Sequence, residues 1–391
     1  MKRVALVLVG LVVIITLGYS YFKDKAGDII PALVPPQESL STKIKEAQHT
    51  GNTPNIPLKL PQGFEIGVFQ DELTGARDLE FTDKGTLLVS QPGQGRVVAL
   101  PDKNNDGAAD EVITLVSDLN KPHGIAFYKG KLYIAEETRV SKYTYNETLN
   151  KSSLEKKLFD LPAGGRHTSR TIVFDKEGKM YVSLGSTCDT CVEKHPFIGT
   201  VIISDENGST PTVYSKGLRN AVFITMDKTG NVWATEMGRD FLGDELPPDE
   251  INILTDNGDF GWPFCYGDQV WDVKFGQKNQ SYCNTTIKPF YKIPAHSAPL
   301  GLTFIDSEQM PEEWQGDLLV SYHGSWNRST PTGYKIVKIT TKGTPKEEDF
   351  ISGFIEGRSV LGRPVDLIFD KAGSLYISDD KGNAVYKVVK R

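Results

Sequence analysis

An all-β, six-bladed β-propeller is the fold this sequence predicts, and three observations predict it. One pattern recurs along the chain: an aromatic residue or Met, usually an acid, a short Gly turn, then an apolar run ending in Ser, Ala or Thr. The six copies start near residues 75, 121, 167, 219, 298 and 363, so the first intervals are 46, 46 and 52 residues and the later ones 79 and 65. Helical periodicity longer than two turns is scarce, while short Val/Ile/Leu/Tyr runs bounded by Asp/Lys/Gly turns are everywhere. Each copy reads as a β-hairpin, and hairpins repeated at this period stack into a ring with one pocket where the blades converge.

From the N-terminus, Lys2 and Arg3 precede an apolar run from Val4 to Leu17 that Gly18 to Phe22 extends to membrane-spanning length. Small residues before a cleavage site are missing, so residues 1–25 are expected to form an uncleaved membrane anchor, with a cleaved signal as the alternative. In either case the basic flank stays in the cytoplasm and the remainder is extracytoplasmic. Residues 26–57 are rich in Lys, Pro, Gln and Thr and read as a linker; the propeller is expected over 58–391.

The repeats follow in order. Phe81 to Ser90, Phe127 to Ala135, Phe174 to Ser183, Met226 to Thr235 and Phe369 to Ser378 are compact copies, and the copy from Phe304 to Ser321 has its turn stretched by an insertion. Upstream of the anchor residues stand Arg77, His123, His167 with Arg170, Arg219, His296 and Arg363. In a propeller this is where the chain enters the innermost strand, beside the central channel. Cationic and imidazole groups converging there suit a polyanionic ligand. His167 and Arg219-Asn220 are the sharper candidates because their Gly-rich or polar context exposes the backbone.

The loop of blade four, Glu236 to Glu245 and on to Trp262-Pro263, supplies the clustered carboxylate and carbonyl oxygens that hard cations want. Asp102 to Asp110 places oxygens at alternate positions but has Ile113 where an EF-hand needs Glu, leaving an Asx/Gly turn or a weak calcium site. Four cysteines in an exported chain favour disulfides over zinc, and Cys188–Cys191 with Cys265–Cys283 is the simplest of three pairings. A net charge of -6 with no Lys/Arg-rich block argues against nucleic acid as a partner.

Taken together, several motifs resemble the soluble aldose sugar dehydrogenases (glucose/sorbosone dehydrogenase-like) that use pyrroloquinoline quinone. They are Gly165-Arg166-His167-Thr168-Ser169-Arg170, Arg219-Asn220, Glu236-Met237-Gly238-Arg239-Asp240, Asp249-Glu250-Ile251-Asn252 and Gly261-Trp262-Pro263, joined downstream by His296 to Gly301, His323-Gly324-Ser325-Trp326-Asn327-Arg328, Gly362 to Asp366 and Ser378-Asp379-Asp380. The resemblance implies an oxidoreductase that passes hydride from an aldose or related sugar to the quinone, with an external electron acceptor. It implies His167 as the base, Arg219 as polariser of the quinone carbonyl, and Asn220, Arg328, Arg363 and Asp379 or Asp380 as further cofactor contacts. Calcium would be held by the backbone carbonyls of Gly238 and Arg239. The glucose branch has Gln before that Gly and Pro after it, where this chain has Met237 and Arg239. Two other classes share the architecture: a calcium-dependent hydrolase like the propeller lactonases, and a non-enzymatic propeller that binds a partner or glycan.

Overall fold

The computed structural model describes residues 53–391; the expected anchor over 1–25 and most of the linker over 26–57 lie outside the described residues. Among the described residues no helix is long and apolar enough to cross a membrane.

The recurring pattern is the hairpin of the first two strands of each blade. Leu79–Phe81 pairs with Leu87–Gln91, and each anchor residue faces the first apolar residue of the returning strand: Phe81 opposite Leu87, Phe174 opposite Met180, Met226 opposite Val232, Phe369 opposite Leu375. The acid of the pattern holds the turn. Asp175 and Asp370 accept the backbone N–H of Lys179 and Ser374, both at 2.8 Å. The turn glycines Gly85, Gly130, Gly178, Gly230 and Gly373 carry φ between 71° and 92°, a region that side chains oppose.

Two further strands complete each blade, giving six sheets of four antiparallel strands, the third of which gains a fifth, parallel strand. In sequence order, the innermost strands are Leu79–Phe81, Gly124–Tyr128, Ile172–Phe174, Ile224–Met226, Pro299–Phe304 and Pro364–Phe369. Each touches the next, and the sixth touches the first, so the ring is closed. The outer strand of blade six is Phe64–Gln70, from the opposite end of the propeller, paired antiparallel with Ala384–Lys390. Six hydrophobic clusters fill the six spaces between blades; Leu88, Val97, Ile125 and Ile134, for instance, pack blade one on blade two. Second strands such as Leu318–Tyr322 are buried along their whole length because both sheet faces are covered. That is why they read as continuous apolar runs instead of alternating ones.

The closing Ser or Thr of the pattern has a purpose that composition does not reveal. Ser183 and Ser378 accept the N–H of Thr171 and Asp366 on their own inner strands, both at 3.0 Å. Their hydroxyls donate to the next blade, Ser183 to the Val222 carbonyl at 3.3 Å and Ser378 to that of Arg77 at 2.5 Å. Thr235 reaches the Leu300 carbonyl at 2.6 Å, and Ser321 bonds that of Val365. These hydroxyls staple successive blades. A Thr235→Val variant keeps the shape and removes the staple, so urea unfolding is expected to show a loss of about 1–3 kcal/mol.

Both disulfides join the expected pairs, Cys188–Cys191 and Cys265–Cys283. Blade four carries its longest insertion after the third strand. Gly258–Asp259 adds to blade three, parallel to Thr212–Lys216, and the chain then rises to the mouth, where Asp272 binds Arg239 at 2.8 Å. The stretch between Phe304 and Leu318 in blade five lies at the inner hairpin turn, on the face away from the mouth. At Asp102–Asp110 the carboxylates accept backbone N–H groups, with Asp102 bonded to Asp106 and Gly107, each at 3.1 Å, which makes an Asx/Gly turn.

Candidate active site

Two kinds of loop meet at the mouth: those that lead into the inner strands and those that join second strands to third. A cavity of about 210 Å³ opens between them in blades three, four and five. Arg166 and His167 come from the segment leading into blade three, Arg219 and Asn220 from that of blade four, and His296 and Ala298 from that of blade five. Met237, Gly238 and Asp240 line it from the second-to-third loop of blade four, and Trp326 and Asn327 from that of blade five.

Close backbone packing makes this possible. A Cβ on Gly185 would lie 2.6 Å from both His167 Cβ and Asn220 Oδ1, and one on Gly165 would lie 2.3 Å from Thr187 Cα. Only glycine at these positions lets the two loops close on each other.

His167 Nδ1 lies 3.0 Å from the Ser186 carbonyl and 2.9 Å from its hydroxyl, which itself donates to the Cys188 carbonyl at 2.7 Å. A carbonyl only accepts, so Nδ1 carries the proton and Nε2 keeps its lone pair. Burial, reinforced by the positive charges of Arg219 and Arg166, lowers the imidazole pKa to about 3. This histidine is a neutral acceptor across the physiological range.

Arg219 is 4% exposed and is gripped by one residue at two points: Nε donates to the Asp189 carbonyl and an Nη to its carboxylate, both at 2.8 Å. Its backbone N–H and that of Asn220 donate to Glu236 at 2.6 and 2.9 Å. Burial raises Glu236 to about 8, and its second oxygen meets no partner. Asp240 accepts Arg166 at 2.7 Å, Arg219 at 3.4 Å and the Asn327 amide at 3.0 Å. Burial raises the Asp240 carboxyl; at Asp189 burial also pushes upward, but the charge of Arg219, the hydrogen bonds from Asp240 N–H and Arg219, and the charge of Arg239 together lower it.

Around the suspected cation loop, Asp249 accepts the N–H of Gly238 and of Ala298, each at 2.8 Å, tying blade four to blade five. Burial raises Asp249 to about 7. No hydrogen-bond donor among the described residues meets the carbonyls of Gly238 and Arg239, so these oxygens are uncommitted. The Arg239 side chain points elsewhere, into its pair with Asp272. Carbonyl oxygens beside carboxylates are the donor set of a hard cation. The one cluster of His, Cys, Asp and Glu tight enough for a metal among the described residues is Cys188, Cys191 and Glu193, and its sulfurs are joined to each other.

The remaining expected contacts do not line this cavity. Arg328 binds Glu245 at 2.6 Å and the Ala295 carbonyl at 2.9 Å. Arg363 donates to the carbonyls of His323 and Gly324 and lies 5.5 Å over the Tyr334 ring. Asp379 is fully buried and accepts the N–H of Arg363, Lys381 and Gly382, as a turn cap does. Asp380 joins His323 at 2.9 Å and Arg77 at 2.8 Å, forming a second polar cluster between blades five, six and one. The residues that sequence reasoning left unassigned are Asp189, Ser186, Arg166, Asp240 and Asn327. Three of these stand inside quoted motifs, but facing direction cannot be read from a motif.

The fold has known counterparts. A family model described as TrAA12-like matches residues 58–391. An uncharacterized protein of Borreliella burgdorferi is 32% identical over 353 residues, which span 85% of this chain and 90% of that protein. A pyrroloquinoline quinone-dependent pyranose dehydrogenase of Coprinopsis cinerea is 24% identical over 86% of this chain, which spans 55% of that enzyme's length. The holo form of its quinone domain superposes with a TM-score of 0.72 at 22% identity, covering 86% of this chain and 98% of that one. The calcium structure of the Trichoderma reesei family AA12 carbohydrate-active enzyme gives 0.77 at 22% identity, covering 88% and 100%. With its six closed blades and its whole propeller spanned by the match, this chain belongs to the TrAA12-like family.

Proposed function

We propose that this protein oxidises an aldose or related sugar, using pyrroloquinoline quinone and calcium at the propeller mouth and passing electrons to an external acceptor. The observation that carries this reading is the cavity in which an imidazole with a free Nε2 faces a buried arginine. The residues fit the groups. Arg166, Arg219 and Asn220 offer donors to an anionic quinone, and the uncommitted carbonyls of Gly238 and Arg239 offer oxygens to calcium. Bound there, the quinone would supply the hydride acceptor that amino-acid side chains lack.

The chain's own residues would do the rest. His167 would take the proton of the sugar's anomeric hydroxyl at Nε2, and the Ser186 carbonyl and hydroxyl keep the ring turned for it. Arg219, fixed at two points, presents positive charge where negative charge develops. Trp326, 38% exposed and edge-to-face with Phe241 at 6.4 Å, gives the mouth an aromatic wall for the apolar face of a sugar ring. Arg328, Arg363, Asp379 and Asp380 would serve the far side of the cofactor or the loops that frame it. We place the propeller outside the cytoplasm, with residues 1–25 as its membrane anchor; two formed disulfides support the compartment.

The test is reconstitution of the full chain with quinone, calcium and an artificial acceptor, followed by a broad panel of aldoses. Sugar-dependent dye reduction is expected; none with any sugar rejects the reading.

A further inference from the structure

The Cys188–Cys191 disulfide closes a ring around only two residues, Asp189 and Thr190, in the second-to-third loop of blade three. That small ring reaches both halves of the site. Asp189 turns its carbonyl and its carboxylate to the same side, so that one residue holds Arg219 at Nε and Nη, both at 2.8 Å. The same carboxylate oxygen accepts the Asp240 N–H at 2.9 Å, which ties the ring to the loop of blade four. On the other side the Cys188 carbonyl accepts the Ser186 hydroxyl at 2.7 Å, and that hydroxyl accepts from His167. Glu193 braces the ring from outside, accepting the Thr187 N–H at 2.7 Å and its hydroxyl at 2.8 Å.

A segment of this length without a cross-link samples many backbone conformations, and few of them aim a carbonyl and its own carboxylate at one guanidinium. The covalent ring selects that conformation. Asp189 does not line the cavity; it acts through Arg219. The two disulfides also differ in access. Cys265 and Cys283 are buried at 4% and 0% exposure, whereas Cys188 and Cys191 are partly exposed.

We propose that the Cys188–Cys191 ring is a clasp that sets Arg219 and His167 together, with Asp189 as the positioning residue for Arg219, and that opening the disulfide disables the site while the propeller stays folded. This rests on the reading of His167 and Arg219 as the acting pair. Opening needs a dithiol reductant: two electrons and two protons pass to the S–S bond, leaving thiols at Cys188 and Cys191 and a cyclic disulfide in the reagent.

The first measurement needs no quinone. In the arginine-¹⁵N-labelled chain, the Arg219 Nε–H resonance is identified by its absence in Arg219→Lys. It is expected to exchange slowly with solvent in the oxidised protein, and about tenfold or more faster in Cys188→Ser/Cys191→Ser and in the reduced wild type, recovering on reoxidation. Asp189→Asn, which keeps the ring and the carbonyl but loses the charge, is expected to fall between. In the quinone-loaded protein, kcat is expected to drop about tenfold or more in the open forms with a smaller change in KM, the mark of a lost transition-state interaction. Near-ultraviolet circular dichroism checks the fold, and should the double variant not fold, the reduced wild type decides. Slow Arg219 exchange persisting after reduction overturns the proposal, as does an Asp189→Asn variant indistinguishable from wild type. A wild type that binds no quinone removes the functional reading, while the exchange experiment still judges the clasp.

Discussion

Replacing His167 with Ala is expected to lower kcat for sugar oxidation by about 10²–10⁴-fold while quinone binding persists. Ser186 fixes the ring so that Nε2 is free, and the loop that holds it is packed on Gly165 and Gly185 with no room to reorient. The pH profile carries a second signature. Burial and the charges of Arg219 and Arg166 hold the pKa near about 3, so the imidazole stays unprotonated far below the range of an exposed histidine. The acid limb of kcat is therefore expected near pH 3 to 4, with little loss between pH 7 and 5. An Arg166→Gln variant removes one of the positive charges and should move that limb upward. A wild-type limb centred at pH 6 to 7 would contradict the assignment, as would full turnover by His167→Ala.

Arg219→Met is expected to be the most destabilising single change at the mouth, by about 3–5 kcal/mol, and to abolish turnover. The guanidinium lies between Asp189 and Asp240, at 17% and 7% side-chain exposure. Removing it leaves the two carboxylates facing each other with Arg166 as the ion-pair partner of both. The double-mutant cycle makes the point testable: Asp189→Asn in the Arg219→Met background should recover part of the lost stability, although alone it destabilises. Urea unfolding measures both. Equal and additive losses would show that Arg219 does not balance these charges.

Much of this ring was legible in the sequence because the inner hairpins obey local rules. Phe174-Asp175, the turn at Gly178 and the run Met180 to Ser183 each follow from strand period, an acid that caps a turn, and a residue that tolerates positive φ. The site was half legible. His167, Arg219 and Asn220 share one cavity because the chain enters an inner strand at the mouth, and Gly238 joins them from the loop between the second and third strands of blade four. Arg328 and Asn327 show where such reading stops. They are neighbours in one motif, yet the backbone turns Asn327 toward Asp240 and Arg328 toward Glu245. Asp189 was hidden differently. Nothing in the sequence between the two cysteines marks it, because its worth depends on a guanidinium 30 residues away in sequence.

The strand Phe64–Gln70, which completes blade six, bears on how the molecule comes into being. Phe64 pairs with Lys390, 326 residues later, so the first strand emerges long before its partner exists. A chain made from its N-terminus carries that strand unpaired, with its backbone edge open, until Ala384–Lys390 has followed. Blades one to five are built from contiguous segments and can assemble as they appear, whereas the sixth waits for completion. Long-range pairings form slowly, so closure is expected to be the late step of folding, and a chain cut short before Ala384 lacks the strand on which Phe64–Gln70 docks. Joining its first and last strands late makes the finished ring a check that every blade has been made.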